Sequence, residues 1–572
     1  MGFDSRQIDA HVALGDLCEI SPKNPRSENA PLARKRIDMN DQCHACGIRN
    51  RCFDRLGGAL FLRIVGKAIF SGVIVVSLFR IPLAGAAERP NIVVIMTDDM
   101  APYDISAYHR GLGAVSTPNI DRIAREGLMI TDYYAQPSCT AGRAALLTGQ
   151  YPIRTGLTSV GQPGSPVGLQ MEDVTLAQLL KSQGYATGQF GKSHVGDRNK
   201  FLPTVHGFDE FYGFLYHLNM MEMPEQPEFP RGPDFVGRPR NVLHSLTSSN
   251  HDPTVDPRWG IVGRQIITDA GPLGAERQKT FDDEVLQRSV QWMRDQVTNK
   301  CPFFLWFNPS RMHQQIHVSK EWAGRSGHGA YADAILQLDS IVGKLLNAID
   351  DSKIRENTIV VFTSDNGVNL AHWPSAGSAS FRGEKGTTWD GGFRVPALIR
   401  WPGHVPAGGW TGELMSSEDW LPTLMSAAGM PEVKEKLKTG LKVDDQEFKV
   451  HLDGYDQTDM LTGAGPSHRQ EFFFYAEREL NAFRVKHWKV HLAVKNEWLK
   501  PSQKVPSGLL IDIKLDPFER TPEAPGHFAW MKEKTWVVPE LSGYLLAHLK
   551  SLKEFPPRQA GTGIGAETLG HE

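Results

Sequence analysis

One seven-residue run limits the possible folds more than any other part of the chain. Asn91 to Thr97 (NIVVIMT) is an apolar, β-branched run that breaks off in the acidic pair Asp98-Asp99. A strand with no polar face is buried on both sides, the signature of a parallel sheet covered by helices. Met129 to Ala135, Ala186 to Phe190, Phe303 to Phe307, Thr358 to Thr363 and Pro396 to Trp401 read as strands of the same kind. Between them lie helical periodicities. The clearest spans Tyr331 to Ile349, where Ile335, Leu338, Val342, Leu345 and Ile349 recur at three- and four-residue steps; Leu176 to Lys181 and Val285 to Met293 are shorter. Alternating strands and helices predict an α/β fold, with a mostly parallel central sheet and helices on both faces. Asn219 to Gly274, rich in Pro, Gly and Asn, shows neither period and is expected to form loops over a site. From Glu471 aromatic strands (Glu471 to Tyr475, Ala482 to Leu492) predict a small antiparallel C-terminal subdomain.

The chain is expected to divide into a leader over 1–87, a large α/β domain over 88–470 and a small C-terminal α+β subdomain over 471–572. A net charge of −3 provides no basic field for nucleic acid or an anionic membrane, so a small-molecule partner is expected. Cys18, Cys43, Cys46 and Cys52 crowd the leader and leave only Cys139 and Cys301 beyond it, which is not a disulfide framework. Arg49, Arg51, Arg55, Arg63 and Lys67 precede the apolar run Ala68 to Phe79, and Ala84-Gly85-Ala86 follows. This pattern reads as a signal peptide across about 56–86, and hence as an exported, periplasmic or secreted protein. The run falls short of the roughly 20 apolar residues a bilayer span requires, so membrane association is expected only if the segment stays uncleaved.

Two polar pairs, Asp98-Asp99 and Asp365-Asn366, each directly follow a buried-strand pattern. Either pair alone reads more readily as an Asx turn or a helix N-cap than as a metal ligand. Together, at the ends of neighbouring strands, they would bring three carboxylates and one amide oxygen to a single point, a cage for a hard cation such as calcium or magnesium. Cys139 follows a strand and opens a helical run, with Arg143 one turn on. A helix N-terminus and a guanidinium both favour negative charge at that spot.

Around that cysteine, Ser138-Cys139-Thr140-Ala141-Gly142-Arg143 followed by Leu147-Thr148-Gly149 resembles the sulfatase signature, whose Cys is oxidised to formylglycine. Pro90-Asn91-Ile92 through Asp98-Asp99 resembles the first strand and metal pair of that family, which is alkaline-phosphatase-like in fold. Gly191-Lys192-Ser193-His194-Val195-Gly196 resembles its Gly-Lys-Trp-His-Leu-Gly motif, and Ser364-Asp365-Asn366-Gly367 its second metal pair. Arg382 to Trp389 is similar to the segment carrying its substrate-binding lysine, here Lys385, and Leu515-Asp516-Pro517-Phe518-Glu519 to its closing motif. The matches fall in family order. Ala141 and Gly142 replace the usual Pro and common Ser of the signature, and Ser193 replaces a Trp, a change expected on the pocket wall.

The resemblance implies an arylsulfatase-type sulfuric ester hydrolase. Asp98, Asp99, Asp365, Asn366 and the modified Cys139 would hold one divalent cation, calcium or alternatively magnesium. Arg143 would hold the formylglycine hydrate, Asp365 would take the attacking hydroxyl's proton, and Lys192, Lys385 and His313 would bind the sulfate. His313 would protonate the leaving group with Lys385 assisting, His194 would act as the later base, and His317 is a further substrate-binding candidate. The implied partners are a small sulfate ester and a formylglycine-generating maturation enzyme. Two rivals stay open: a phosphonate or phosphate ester hydrolase on the same fold, and a non-catalytic binder of sulfated ligands with Cys139 unmodified.

Overall fold

The computed structural model describes residues 89–232, 235–370 and 380–561. The leader, its cysteine cluster and the signal-peptide reading lie outside the described residues. Ten strands form one sheet: β1 (Asn91–Thr97), β2 (Leu128–Tyr134), β3 (Ala186–Lys192), β4 (Glu210–Phe214), β5 (Leu243–Asp256), β6 (Gly260–Asp269), β7 (Phe303–Asn308), β8 (Thr358–Ser364), β9 (Ala397–Arg400) and β10 (Gly409–Ser416). Their order is β10-β2-β9-β8-β1-β7-β3-β4-β5-β6. The centre, β8-β1-β7-β3-β4, is parallel throughout.

The two-sided burial expected of β1 is visible in its neighbours. Ile92, Val94 and Met96 join one apolar cluster with Phe304 and Trp306, beneath the helices Cys139–Thr148, Leu176–Ser182 and Trp420–Ala427. Val93 and Ile95 join the opposite cluster with Phe303, Leu305 and Phe307, beneath Pro118–Arg125, Phe281–Asn299 and Ala330–Asp351. Strand alternation thus sends successive β1 side chains into two cores, which is why Ile92 to Met96 is apolar without a break.

Three expectations are corrected. The segment at 396–401 is antiparallel to both β2 and β8: among the described residues the connection after β8 holds only the four-residue helix Asp390–Phe393, not the crossover helix that a parallel neighbour uses. Much of Asn219 to Gly274 is the long hairpin β5-β6, whose mostly exposed residues carry no apolar alternation to announce it. The stretch read as one strand over 482–492 is two, β14 (Glu479–Val485) and β15 (Trp488–Val494), separated by a turn with Lys486 at positive φ. With β13 (Glu471–Ala476) and β16 (Gln503–Asp512) they form a four-stranded antiparallel sheet; a two-stranded hairpin, β11 (Leu441–Val443) and β12 (Gln446–Phe448), precedes it.

That C-terminal sheet is joined to the main sheet by buried charge. Arg484 on β14 donates to both oxygens of Asp132 on β2, each at 2.7 Å, and Lys489 on β15 bonds Asp390 at 2.9 Å and Glu519 at 2.7 Å. No helix among the described residues is long and apolar enough to cross a membrane.

Candidate active site

The two polar pairs meet as their sequence positions foretell. β1 and β8 are parallel neighbours with Thr97 in register with Ser364, so Asp98-Asp99 and Asp365-Asn366 leave the sheet side by side at its C-terminal edge. All four residues are buried. Cys139 begins the helix Cys139–Thr148 directly above them. The close approach depends on Gly142, where a Cβ would lie 1.8 Å from the Asp365 carbonyl oxygen. Ligand atoms of Asp98, Asp99, Cys139 and Asp365 all lie within 4.8 Å of one another.

Cations surround this acidic knot. Arg143, fully buried, donates Nε to an Asp365 oxygen at 2.9 Å with Nη2 2.8 Å from the same oxygen, and it also reaches the carbonyls of Lys192 and Thr97. Lys192, the last residue of β3, pairs with Asp98, and Lys385 pairs with Asp99 while approaching the Cys139 sulfur to 2.9 Å. Lys192 is fixed by its strand. Gly191 just before it runs at φ +105°, and its absent side chain lets the backbone pass a β7 carbonyl, at Asn308, that would otherwise lie 1.8 Å from a Cβ. Asp99 and His194 are non-glycine residues in the left-handed region, at φ 53° and 61°. That conformation costs energy and is concentrated in proteins at working sites.

Burial and charge set the protonation states. Asp98 would be raised by burial, but Lys192, His313, Arg143 and Lys385 together hold it well below the usual carboxylate range. Asp365 goes the other way, pushed up to about 7 by burial and by the Asp98 charge, against the pull of Arg143. His194 is driven well below its ordinary value by burial, Lys192 and His217, and His313 is lowered to about 4, chiefly by burial. Lys385 stays charged: burial opposes its ammonium, and Asp99, with Asp98 and Asp365, more than compensates. The expectation that Cys139 would favour negative charge is corrected. Burial and Asp98 push its thiol well above the ordinary value, outweighing Lys192 and Lys385. Without a cation beside it, an unmodified Cys139 favours the neutral thiol, a weaker nucleophile than a thiolate.

His313 Nε2 lies 3.9 Å from an oxygen of Asp99. His317, four residues on, stands apart from the cluster and bonds Glu222 at 2.7 Å. Ser193, expected on the pocket wall, is fully buried with no partner for its hydroxyl. His217 was not anticipated. Its ring stacks on His313 at 5.5 Å between centroids and meets His194 edge-on at 6.1 Å, so three imidazoles line one side of the site. It caps the helix Leu218–Glu222, its ring accepting from the Met220 N–H at 3.2 Å, a position that no periodicity in the sequence marks.

The Sulfatase family model matches residues 90–430. The chain belongs to the sulfatase family. Human arylsulfatase A is 34% identical to this sulfatase over 500 residues, 83% of this chain and 91% of the relative. Human steryl-sulfatase is 30% identical over 82% of this chain and 90% of its own, and dog N-acetylgalactosamine-6-sulfatase 32% identical over 74% and 76%. Among solved structures, the PsFucS1 sulfatase from Pseudoalteromonas sp. superposes with a TM-score of 0.70 at 28% identity, covering 83% of this chain and 92% of that one. The sulfatase is thus a sulfuric ester hydrolase, and the buried cluster at the sheet edge is its candidate active site.

Proposed function

We propose that this sulfatase hydrolyses an aryl-type sulfate ester, using Cys139 oxidised to formylglycine and one divalent cation. The observation that carries the reading is the juxtaposition of Cys139 with three carboxylates and three cationic side chains in one buried cluster.

The donor set fits a hard cation. Asp99 Oδ2 and Asn366 Oδ1 are buried without a hydrogen-bond partner, and unmet acceptors of this kind are costly unless something positive satisfies them. Asp98, Asp99, Asp365 and Asn366 would hold the ion. Their all-oxygen chemistry suits calcium, with magnesium the alternative. When bound, the ion would offset the carboxylate charge and polarise a sulfate oxygen. Oxidised and hydrated, position 139 would offer two hydroxyls on one carbon, a nucleophile for sulfur that can later release sulfate.

The chain's own residues supply the remaining chemistry. Asp365, near 7 in its pKa, is suited to accept the attacking hydroxyl's proton, and Arg143 holds that carboxylate and the hydrate in place. Lys192 and Lys385 provide the fixed positive charge that the sulfate oxygens need as charge spreads in the transition state. His313 protonates the departing oxygen, with Lys385 beside it. His194, held neutral, is the base for the second hydroxyl's proton. His217 supports the His313 ring by stacking. The basic, then apolar, then small-residue pattern of 56–86 supports export of the mature protein, and maturation calls for a formylglycine-generating partner.

The test is sulfate release from 4-nitrophenyl sulfate by protein co-expressed with such a partner. Turnover that disappears in Cys139→Ala and with a chelator, and returns on adding calcium, is expected. Turnover that persists in Cys139→Ala, or a preference for phenylphosphonate esters over sulfate esters, would overturn the reading.

A further inference from the structure

Trp498 lies in the connection between β15 and β16, far in sequence from every residue of the catalytic cluster. Its ring nevertheless sits 5.2 Å, centroid to Nζ, from Lys385, which is itself 2.9 Å from the Cys139 sulfur. A single ammonium therefore separates the indole from the position of the nucleophile. The ring is also held in place. It packs on the backbone of Gly386, where a Cβ would come within 2.2 Å of Trp498 Cδ1, and Gly386 donates its N–H to the Pro137 carbonyl at the start of the Cys139 turn.

The neighbouring residues fasten this loop to the lysine segment. Thr388 N–H bonds the Lys495 carbonyl at 3.2 Å, Lys495 N–H bonds Thr388 Oγ1 at 2.9 Å, and the Trp389 indole donates to Asn496 Oδ1 at 2.8 Å. Asp390 N–H bonds Glu519 at 2.7 Å, which ties the same segment to the C-terminal sheet. The side chains that contact Cys139, Lys385 and the two metal-pair aspartates, are fully buried, whereas Trp498 is only half-buried. Among the described residues, Trp498 offers a large, part-exposed aromatic surface beside a cluster that is itself polar and charged.

We propose that Trp498 is the platform of a leaving-group subsite, stacking on the flat face of a ring that carries the scissile sulfate. This deepens the sulfatase reading and rests on it. The cluster holds the sulfate, while the C-terminal subdomain, through Trp498, selects a ring-bearing alcohol or phenol over an open-chain one. Indole faces bind both aromatic rings and the C–H faces of sugars, so the shared chemistry is a flat, weakly polar ring.

The test measures binding in the full-length Cys139→Ala protein, which needs no turnover, by titration with inorganic sulfate, 4-nitrophenyl sulfate and glucose 6-sulfate. Adding Trp498→Ala is expected to weaken at least one of the two ring sulfates by roughly tenfold while leaving inorganic sulfate within about twofold; Trp498→Phe should recover most of the loss. The ring sulfate that weakens identifies the ring the platform takes. If inorganic sulfate weakens as much as the ring sulfates, Trp498 acts only through Lys385, and if no ligand weakens it does not touch substrate; either result overturns the proposal. Turnover of 4-nitrophenyl sulfate by the matured wild type is read separately, so failure of the sulfatase reading cannot be mistaken for failure of the subsite.

Discussion

At Asp365 and His313, the same burial produces opposite shifts with a kinetic consequence. Burial and Asp98 raise the base to about 7, and burial lowers the acid to about 4. The productive state needs Asp365 ionised and His313 protonated, the less populated of the two one-proton arrangements of the pair, since the proton favours Asp365. That form fills as pH rises through about 4 and empties as pH rises through about 7, so kcat/KM should trace a bell with limbs at those two values. A profile still climbing above pH 8 would remove His313 as the acid. His313→Ala should lower kcat by about 100-fold or more for a poor alcohol leaving group and far less for 4-nitrophenolate, which leaves without a proton. His317→Ala, whose ring is engaged with Glu222, should change kcat/KM by about twofold at most. Most of this cluster was legible because each member stands at a strand end or in a spaced motif. His217 and Trp498 were not, since stacking and a cation–π contact leave no spacing rule in the sequence.

Among the elements, the helix Cys139–Thr148 and strand β8 are joined where no side chain can stand. A methyl at Gly142 would collide with the Asp365 backbone, so Gly142→Ala should displace the helix, separate Arg143 from Asp365 and lower both the melting temperature and kcat. The C-terminal sheet supplies the second joint. Glu519→Ala removes one of the two carboxylates facing buried Lys489, and a cost of about 3 kcal/mol in a denaturant titration is expected. Glu519 is held down to about 2 by Lys489 and His491, against the effect of burial, so its stabilising contribution is present above the ordinary carboxylate range and is lost as pH falls towards 2. The buried parallel strands were readable because two-sided burial writes a continuous apolar run. Strands β4, β5 and β6 were not, because β4 is five residues long and the β5-β6 hairpin is largely exposed, with Pro253 within it. The antiparallel course of β9 was hidden for a related reason: burial on both faces gives the same composition whichever way a strand runs.

Across the whole molecule, three carboxylates converge where the main sheet, the Cys139 helix and the Lys385 segment meet, so a bound cation is coupled to the folded state. A ligand present at a hundred times its Kd stabilises by about 2.7 kcal/mol. Chelation should therefore lower the melting temperature of the matured enzyme, and calcium should restore it. Above all, position 139 is proposed to work as formylglycine, for which a neutral thiol is a poor substitute as nucleophile. The most direct test is the mass of the peptide containing Cys139, from protein made alongside a formylglycine-generating partner. The account predicts a peptide lighter than the cysteine form by the exchange of the thiol for an aldehyde oxygen, in proportion to sulfate release; an unmodified cysteine in protein that fully hydrolyses sulfate esters would contradict it.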